Sequence, residues 1–188
     1  MDPAAVLSNN HIQAVHAHID HCKDYRATLL WKLLIKKIHY GVERGVWRQA
    51  TAVDLPYEGP VNYFILIKSY KESESTITPV QVCLDAFRKK IGVSLNDILV
   101  QGPNKLACQI SILLSFRSMD IGMTMDIRKF YQSVKLCEKE HYIHILWSPD
   151  PDKPPDIYVG HKNHFGIKPA GPVACIALNM TADIHEEK

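Results

Sequence analysis

GMTMDIRKFYQSVKL, residues 122–136, sets a single carboxylate, Asp126, after a short alternating run and just before an aromatic pair, Phe130 and Tyr131. The stretch reads as strand, turn and short helix. No second acid stands beside Asp126 to share a proton or a metal. From these residues alone it is a turn or capping aspartate. Whether it is more depends on what surrounds it in the chain.

Upstream, SLNDILVQGP (94–103) leads into KLACQISILLSFR (105–117). Leu106, Ile110, Leu113 and Leu114 mark one buried face of a helix that begins near Pro103. Earlier, VNYFILIKSY (61–70) and PVQVCLDA (79–86) are rich in β-branched and aromatic residues, and the polar KESESTIT between them makes a β-hairpin with a long loop. Pro56, Gly59 and Pro60 exclude helix just before it. Downstream, HYIHILW (141–147) alternates as a strand, SPDPDKPPD is a proline-rich loop, and IYVGHKNHFG is a second strand ending at a turn. AGPVACIALNMTADI is small, apolar and helical in spacing. Helices and mostly antiparallel strands alternate without a βαβ rhythm, so the fold class is α+β.

Residues 9–40 read as two helices. Ile12, Val15, Ile19 and Cys22 recur at helical spacing, and Leu30, Leu33, Leu34 and Ile38 repeat the pattern after Tyr25. Ser8 or Asn9 is the expected cap of the first and Gly41 the expected end of the second. His11, His16, His18 and His21 with Cys22 read as a solvated, His-rich face. A metal site is the alternative, since ligands at i, i+3 and i+4 share a helix face, but no second ligand cluster has finger-like spacing.

At 188 residues, with 46% of them apolar and 22% charged, the chain has ordinary globular composition. A net charge of +2 does not by itself point to nucleic acid, although a local basic groove is compatible with it. No apolar run approaches the roughly 18 residues that span a bilayer, so no membrane association is expected, and MDPAAVLSNN does not read as a signal peptide. Five irregularly spaced cysteines fit reduced thiols in the cytoplasm or nucleus.

The order of the pieces is more specific than any one of them. SLND–GP, a helix ending in SFR, MDIRKFYQSVKL, a run ending in HILW, and HFGIKPAGP before an Ala-rich helix together resemble the reverse transcriptase of BEL/Pao-type retrotransposons, over roughly residues 53–182. The resemblance implies a partial right-hand polymerase: an N-terminal helical segment (1–50), a fingers-like hairpin and helix (51–120), and an incomplete palm with inserted fingers strands (121–188). It makes Asp126 the first palm carboxylate and a ligand of two Mg²⁺ ions, assisted by the backbone carbonyl of Ile127. Carboxylates suit such an ion pair because Mg²⁺ is a hard, oxygen-seeking cation. Tyr131 becomes the aromatic gate against a 2′-hydroxyl. Gln81, four positions before Asp85, stands where the family has a basic residue on the triphosphate, and an amide lacks the charged fork for that contact. Lys68 is a further phosphate contact. Gly166, with Lys168, Pro169, Gly171 and Pro172, falls in the turn opening a helix against the templating base, where glycine permits close approach.

The family's Tyr-x-Asp-Asp hairpin, which carries the other metal carboxylates and should follow the last helix, is not found: the sequence there reads MTADIHEEK, with the isolated Asp183 within the end of the expected helix. The two-Mg²⁺ site implied by the resemblance is therefore not expected to be retained, and the chain alone is expected to be inactive. The expected function is that of a truncated or domesticated polymerase piece that retains binding of RNA or an RNA/DNA hybrid. Arg88, Lys89, Lys90, Arg128 and Lys129 are the candidate contacts, with Lys68 and Lys71 beside them. The alternatives are the N-terminal part of a polymerase completed by a further segment, or a protein–protein module working through the exposed palm edge. That edge, with an apolar helix face, is expected to be covered by a partner or by self-association.

Overall fold

The architecture is α+β, and its sheet is built around a hairpin from late in the chain. The computed structural model describes residues 10–54, 62–64, 66–70, 80–89, 92–137 and 143–186. Strands β5 (Ile143–Trp147) and β6 (Asp156–Gly160) pair antiparallel, from His144 opposite Val159 to Trp147 opposite Asp156. All five residues of β5 are buried, so this strand is covered on both faces. Strand β1 (Trp47–Gln49) adds antiparallel to β6, and β2 (Asn62–Phe64) adds parallel to β5, giving the order β1-β6-β5-β2. The expected hairpin of residues 61–86 is present in part, as β3 (Leu66–Tyr70) against β4 (Val80–Leu84) in a separate two-stranded sheet, whereas Asn62–Phe64 of the same run joins β5 instead. Its connector, KESESTIT, lies outside the described residues, as do Pro56, Gly59, Pro60, Ser8 and Asn9.

Helices α1 (His11–Tyr25) and α2 (Leu29–Glu43) form where the periodicity placed them. The buried line of α1 is nevertheless Ala14, His18 and Cys22, while Ile12 is 72% exposed and Ile19 41%. The solvated histidine face is thus corrected at one position. His18 packs edge-on against Trp147 with ring centroids 6.0 Å apart, and its Nε2 lies 3.4 Å from Cys22 Sγ. Among the described residues no three His, Cys, Asp or Glu side chains gather as a metal site. Trp31 of α2 meets the same Trp147 at 4.9 Å, tying both helices to β5.

Gly41 does not end α2; it lies inside the helix, buried. A Cβ there would come within 2.6 Å of Trp47 Cδ1 and Nε1, so its role is to let β1 approach the helix. The chain leaves α2 through a Schellman closure, with Val46 N–H donating to Gly41 O (2.8 Å) and Gly45 N–H to Val42 O (2.9 Å). Beyond β1, the Arg48 guanidinium donates to both carboxylate oxygens of Asp54, at 2.6 and 2.5 Å. These bonds, with those from Thr51, hold the Asp54 carboxyl far below its usual range.

The short helix α3 (Leu95–Ile98) opens with a capping box between Ser94 and Asp97. Helix α4 (Gln109–Arg117) departs from expectation twice. It starts at Gln109 rather than near Pro103, and its apolar face is not buried: Ile110 is 69% exposed, Leu113 60% and Leu114 65%. Residues 101–128 are exposed throughout, and 122–127 form no strand. The alternation in GMTMDI has no sheet partner among the described residues. Helix α5 (Phe130–Ser133) follows, and α6 (Ala170–Glu186) forms as expected, docked through Ala170 and Ala174.

An exposed apolar helix of this kind drives association. At high concentration the chain is expected to run above its 21.4 kDa monomer mass in gel filtration with light scattering. Substituting Ile110→Gln, Leu113→Gln and Leu114→Gln together is expected to restore the monomer. A wild-type chain that stays monomeric at high concentration contradicts this.

Candidate functional site

A chain of main-chain and side-chain hydrogen bonds draws distant segments together at the C-terminal end of β4. Leu84 N–H donates to Phe165 O at 2.9 Å, and Asn96 N–H donates to Ala86 O at 3.0 Å. The Asn96 amide then closes the third side: its Nδ2 donates to Gly166 O (2.9 Å) and its Oδ1 accepts from Lys168 N–H (2.8 Å). One 2%-exposed asparagine therefore joins the SLND turn to the FGIKP turn. The Asp97 carboxylate accepts from Ser94 N–H while its own N–H donates to Ser94 Oγ, which fixes that turn, and hydrogen bonding with Ser94 shifts the carboxyl below its ordinary value.

Beside this junction a cleft of about 670 Å³ opens between α2, β4 and residues 126–132. Asp126 and Gln81 line it, together with Arg128, Lys129 and Gln132. From α2 come Lys36, Lys37 and Tyr40. The floor is apolar, made in part by Leu33, Val46, Trp47 and Phe165. Four basic side chains thus face one carboxylate, and none of the five takes part in an ion pair among the described residues.

Burial, hydrogen bonding and neighbouring charge shift the groups around the cleft. Lys37 is pushed below the ordinary lysine value by burial and then by the nearby Lys129 and Arg128. Lys129 holds its ammonium 3.7 Å from the centroid of the Tyr40 ring, and Tyr40 Oη accepts from Arg44 Nε at 3.0 Å. Hydrogen bonds from Lys129 and Arg44 bring the Tyr40 phenol down to about 8. Lys129 itself adopts φ 57°, a left-handed conformation that a lysine rarely occupies, at the entry to α5.

The other residues singled out from sequence fall elsewhere. Tyr131 is half-buried and packs edge-on against Phe165, with ring centroids 4.6 Å apart; it is not part of the cleft lining. Asp85 pairs with Arg88 Nε at 3.3 Å, which occupies Arg88 locally, and Lys89 is exposed. Lys90 and Lys71 lie outside the described residues, and Lys68 stands opposite Val82 in the β3–β4 register. Gly166 takes φ 102° against β4 rather than lining the cleft. Ile127, beside Asp126, is 42% exposed.

Sequence reading missed Lys36, Lys37 and Tyr40. Their spacing is that of any solvated helix face, and only the packing of α2 across β4 brings them to Asp126. A pair of Mg²⁺ ions needs several hard oxygen ligands. Asp126 is the one carboxylate among the residues lining the cleft, and the chains around it are cationic, so this donor set does not fit a two-metal centre. Comparison of the chain with protein-family models, with curated proteins and with solved structures finds no match.

Proposed function

We propose that this chain is a reverse-transcriptase-like piece of the BEL/Pao type, catalytically incomplete alone, whose remaining activity is to hold polynucleotide. The observation that carries this reading is the cleft. It brings Asp126 and Lys129, from one motif, and Gln81, from another well separated in sequence, to one concave surface with a basic rim. Such a rim favours a polyanion by Coulomb attraction and counter-ion release. With a single carboxylate in the cleft the chain positions nucleic acid without activating a primer hydroxyl.

The test is fluorescence anisotropy with a labelled RNA–DNA primer–template, run beside a primer-extension assay in Mg²⁺. Saturable binding that weakens as salt rises, with no extension, is expected. Removing the one negative charge with Asp126→Asn is expected to tighten binding about two- to fivefold at low salt. No saturable binding at low salt overturns the reading, and extension by the chain alone overturns its incompleteness.

The exposed α4 favours a second reading, in which this apolar helix recruits a protein partner. Loss of association in the triple glutamine variant, with nucleic-acid binding unchanged, would separate the two activities.

A further inference from the structure

The cleft has two chemical layers, and together they fit one kind of ligand. Its rim carries Lys36, Lys37, Arg128 and Lys129, none ion-paired among the described residues, while its floor is apolar. Its walls add two primary amides, Gln81 and Gln132. A volume of about 670 Å³ lies within the range of sites that enclose a small organic ligand. A duplex presents only its phosphates to such a surface, because its bases are paired and stacked inward. An unpaired nucleotide presents both parts: a flat base for the floor and a phosphate for the rim.

We infer that the cleft is a site for an unpaired nucleotide of a single-stranded segment, with its flanking phosphates held by Lys36 and Lys37 of α2 together with Arg128 and Lys129. This rests on the nucleic-acid reading above and sharpens it. The contact surface is α2 with residues 128–129, and not the Arg88–Lys90 cluster that stands out in the sequence. Each amide offers both a donor and an acceptor, so Gln81 and Gln132 satisfy the polar edge of any base and the site carries little sequence preference. The left-handed backbone of Lys129 is a second mark of the site. A lysine held at φ 57° and pinned over Tyr40 is a conformational cost placed where the cation is aimed. With four cations engaged, the logarithm of affinity should fall against the logarithm of salt with a slope of about −3.

The experiment compares a short labelled single-stranded RNA with the blunt duplex of the same sequence, by anisotropy, between about 50 and 200 mM salt. The proteins are the wild type, Lys36→Gln/Lys37→Gln, and Arg88→Gln/Lys89→Gln, each checked by circular dichroism for an unchanged melt. The single strand is expected to bind at least about tenfold tighter than the duplex. The α2 variant is expected to lose about tenfold in affinity and to flatten the salt slope by about 1.4, while the 88–89 variant stays within about twofold of wild type. Failure of the wild type to bind any nucleic acid overturns the proposed function and this inference with it. Binding that persists, but is equally tight for duplex, or is insensitive to the α2 change and lost in the 88–89 variant, overturns the inference alone.

Discussion

Gly166→Ala is expected to remove most of the protein's stability, by about 4 kcal/mol or more, placing it among the most damaging single substitutions. Two effects act together. Gly166 has φ 102°, where an L side chain is strained by about 1–3 kcal/mol. A Cβ there would also run into the Leu84 carbonyl oxygen, which is backbone and cannot rotate aside. Relief requires β4 to move away from Phe165, breaking the Leu84-to-Phe165 hydrogen bond and the grip of Asn96 on Gly166 and Lys168. Gly92 is the natural control. Its φ is 82°, yet nothing lies within 4 Å of its Cβ position. Gly92→Ala should therefore show the strain alone, about 1 kcal/mol. Urea unfolding of both variants separates collision from strain, and equal losses would remove the collision argument.

Acid is expected to destabilise the fold well above the range in which carboxylates titrate. His164 is 2% exposed and stacked on Trp47 with ring centroids 4.0 Å apart and planes 2° from parallel, and its buried Nε2 has no hydrogen-bond partner among the described residues. Burial, and then the nearby His161, lower it from 6.5 to about 3. His18 is lowered to about 4 by burial and then by His21. Both folded-state values lie below the unfolded value, so the unfolded chain binds more protons as pH falls. Their contribution is complete above pH 6.5 and declines from there toward pH 4 and 3. By about pH 4.5 both rings are protonated in the unfolded chain and mostly neutral in the folded one, a loss on the order of several kcal/mol for the pair relative to neutral pH. Asp54 and Asp97, whose values are depressed, weaken the fold only at lower pH, below the ordinary carboxyl value of 3.8. Stability measured by urea should be nearly flat above the unfolded value of 6.5 and steepen below it, approaching a slope of two protons near about pH 5, or about one in His164→Gln. A profile that stays flat below that value, or an unchanged slope in the variant, would contradict this origin.

The elements with strong punctuation were legible in the sequence. The β3–β4 and β5–β6 hairpins follow from β-rich runs separated by polar or proline-rich connectors, and α6 follows from its small-residue spacing. Burial was harder to read. In α1 both Ile12–Val15–Ile19–Cys22 and Ala14–His18–Cys22 are legitimate helical stripes, and the buried one is that whose His18 packs on Trp147. For α4, apolarity predicts a covered face, but composition does not say which element covers it, and none does among the described residues. In the candidate site, Asp126 and Lys129 could be singled out because they share one short motif, and Gln81 only through the resemblance. Lys36, Lys37 and Tyr40 could not, because their part in the cleft exists only once α2 has packed on β4. Arg88 stood out as part of a dense basic run, yet its charge is taken up locally by Asp85.

The order of strands in the main sheet also sets a schedule. Its outer strands, β1 and β2, are synthesised first, and among the described residues both pair with the central hairpin β5–β6, which leaves the ribosome much later. Until then Trp47 has no Gly160 opposite it and Asn62 no Ile143, so the nascent chain holds two unmatched edges while residues 65–142 are synthesised. Pairing so distant in sequence closes slowly and leaves such edges open to chaperones or to wrong partners. Ribosome-bound fragments ending before residue 143 should therefore be protease-sensitive around β1 and β2, and resistance should appear in one step once β6 has emerged.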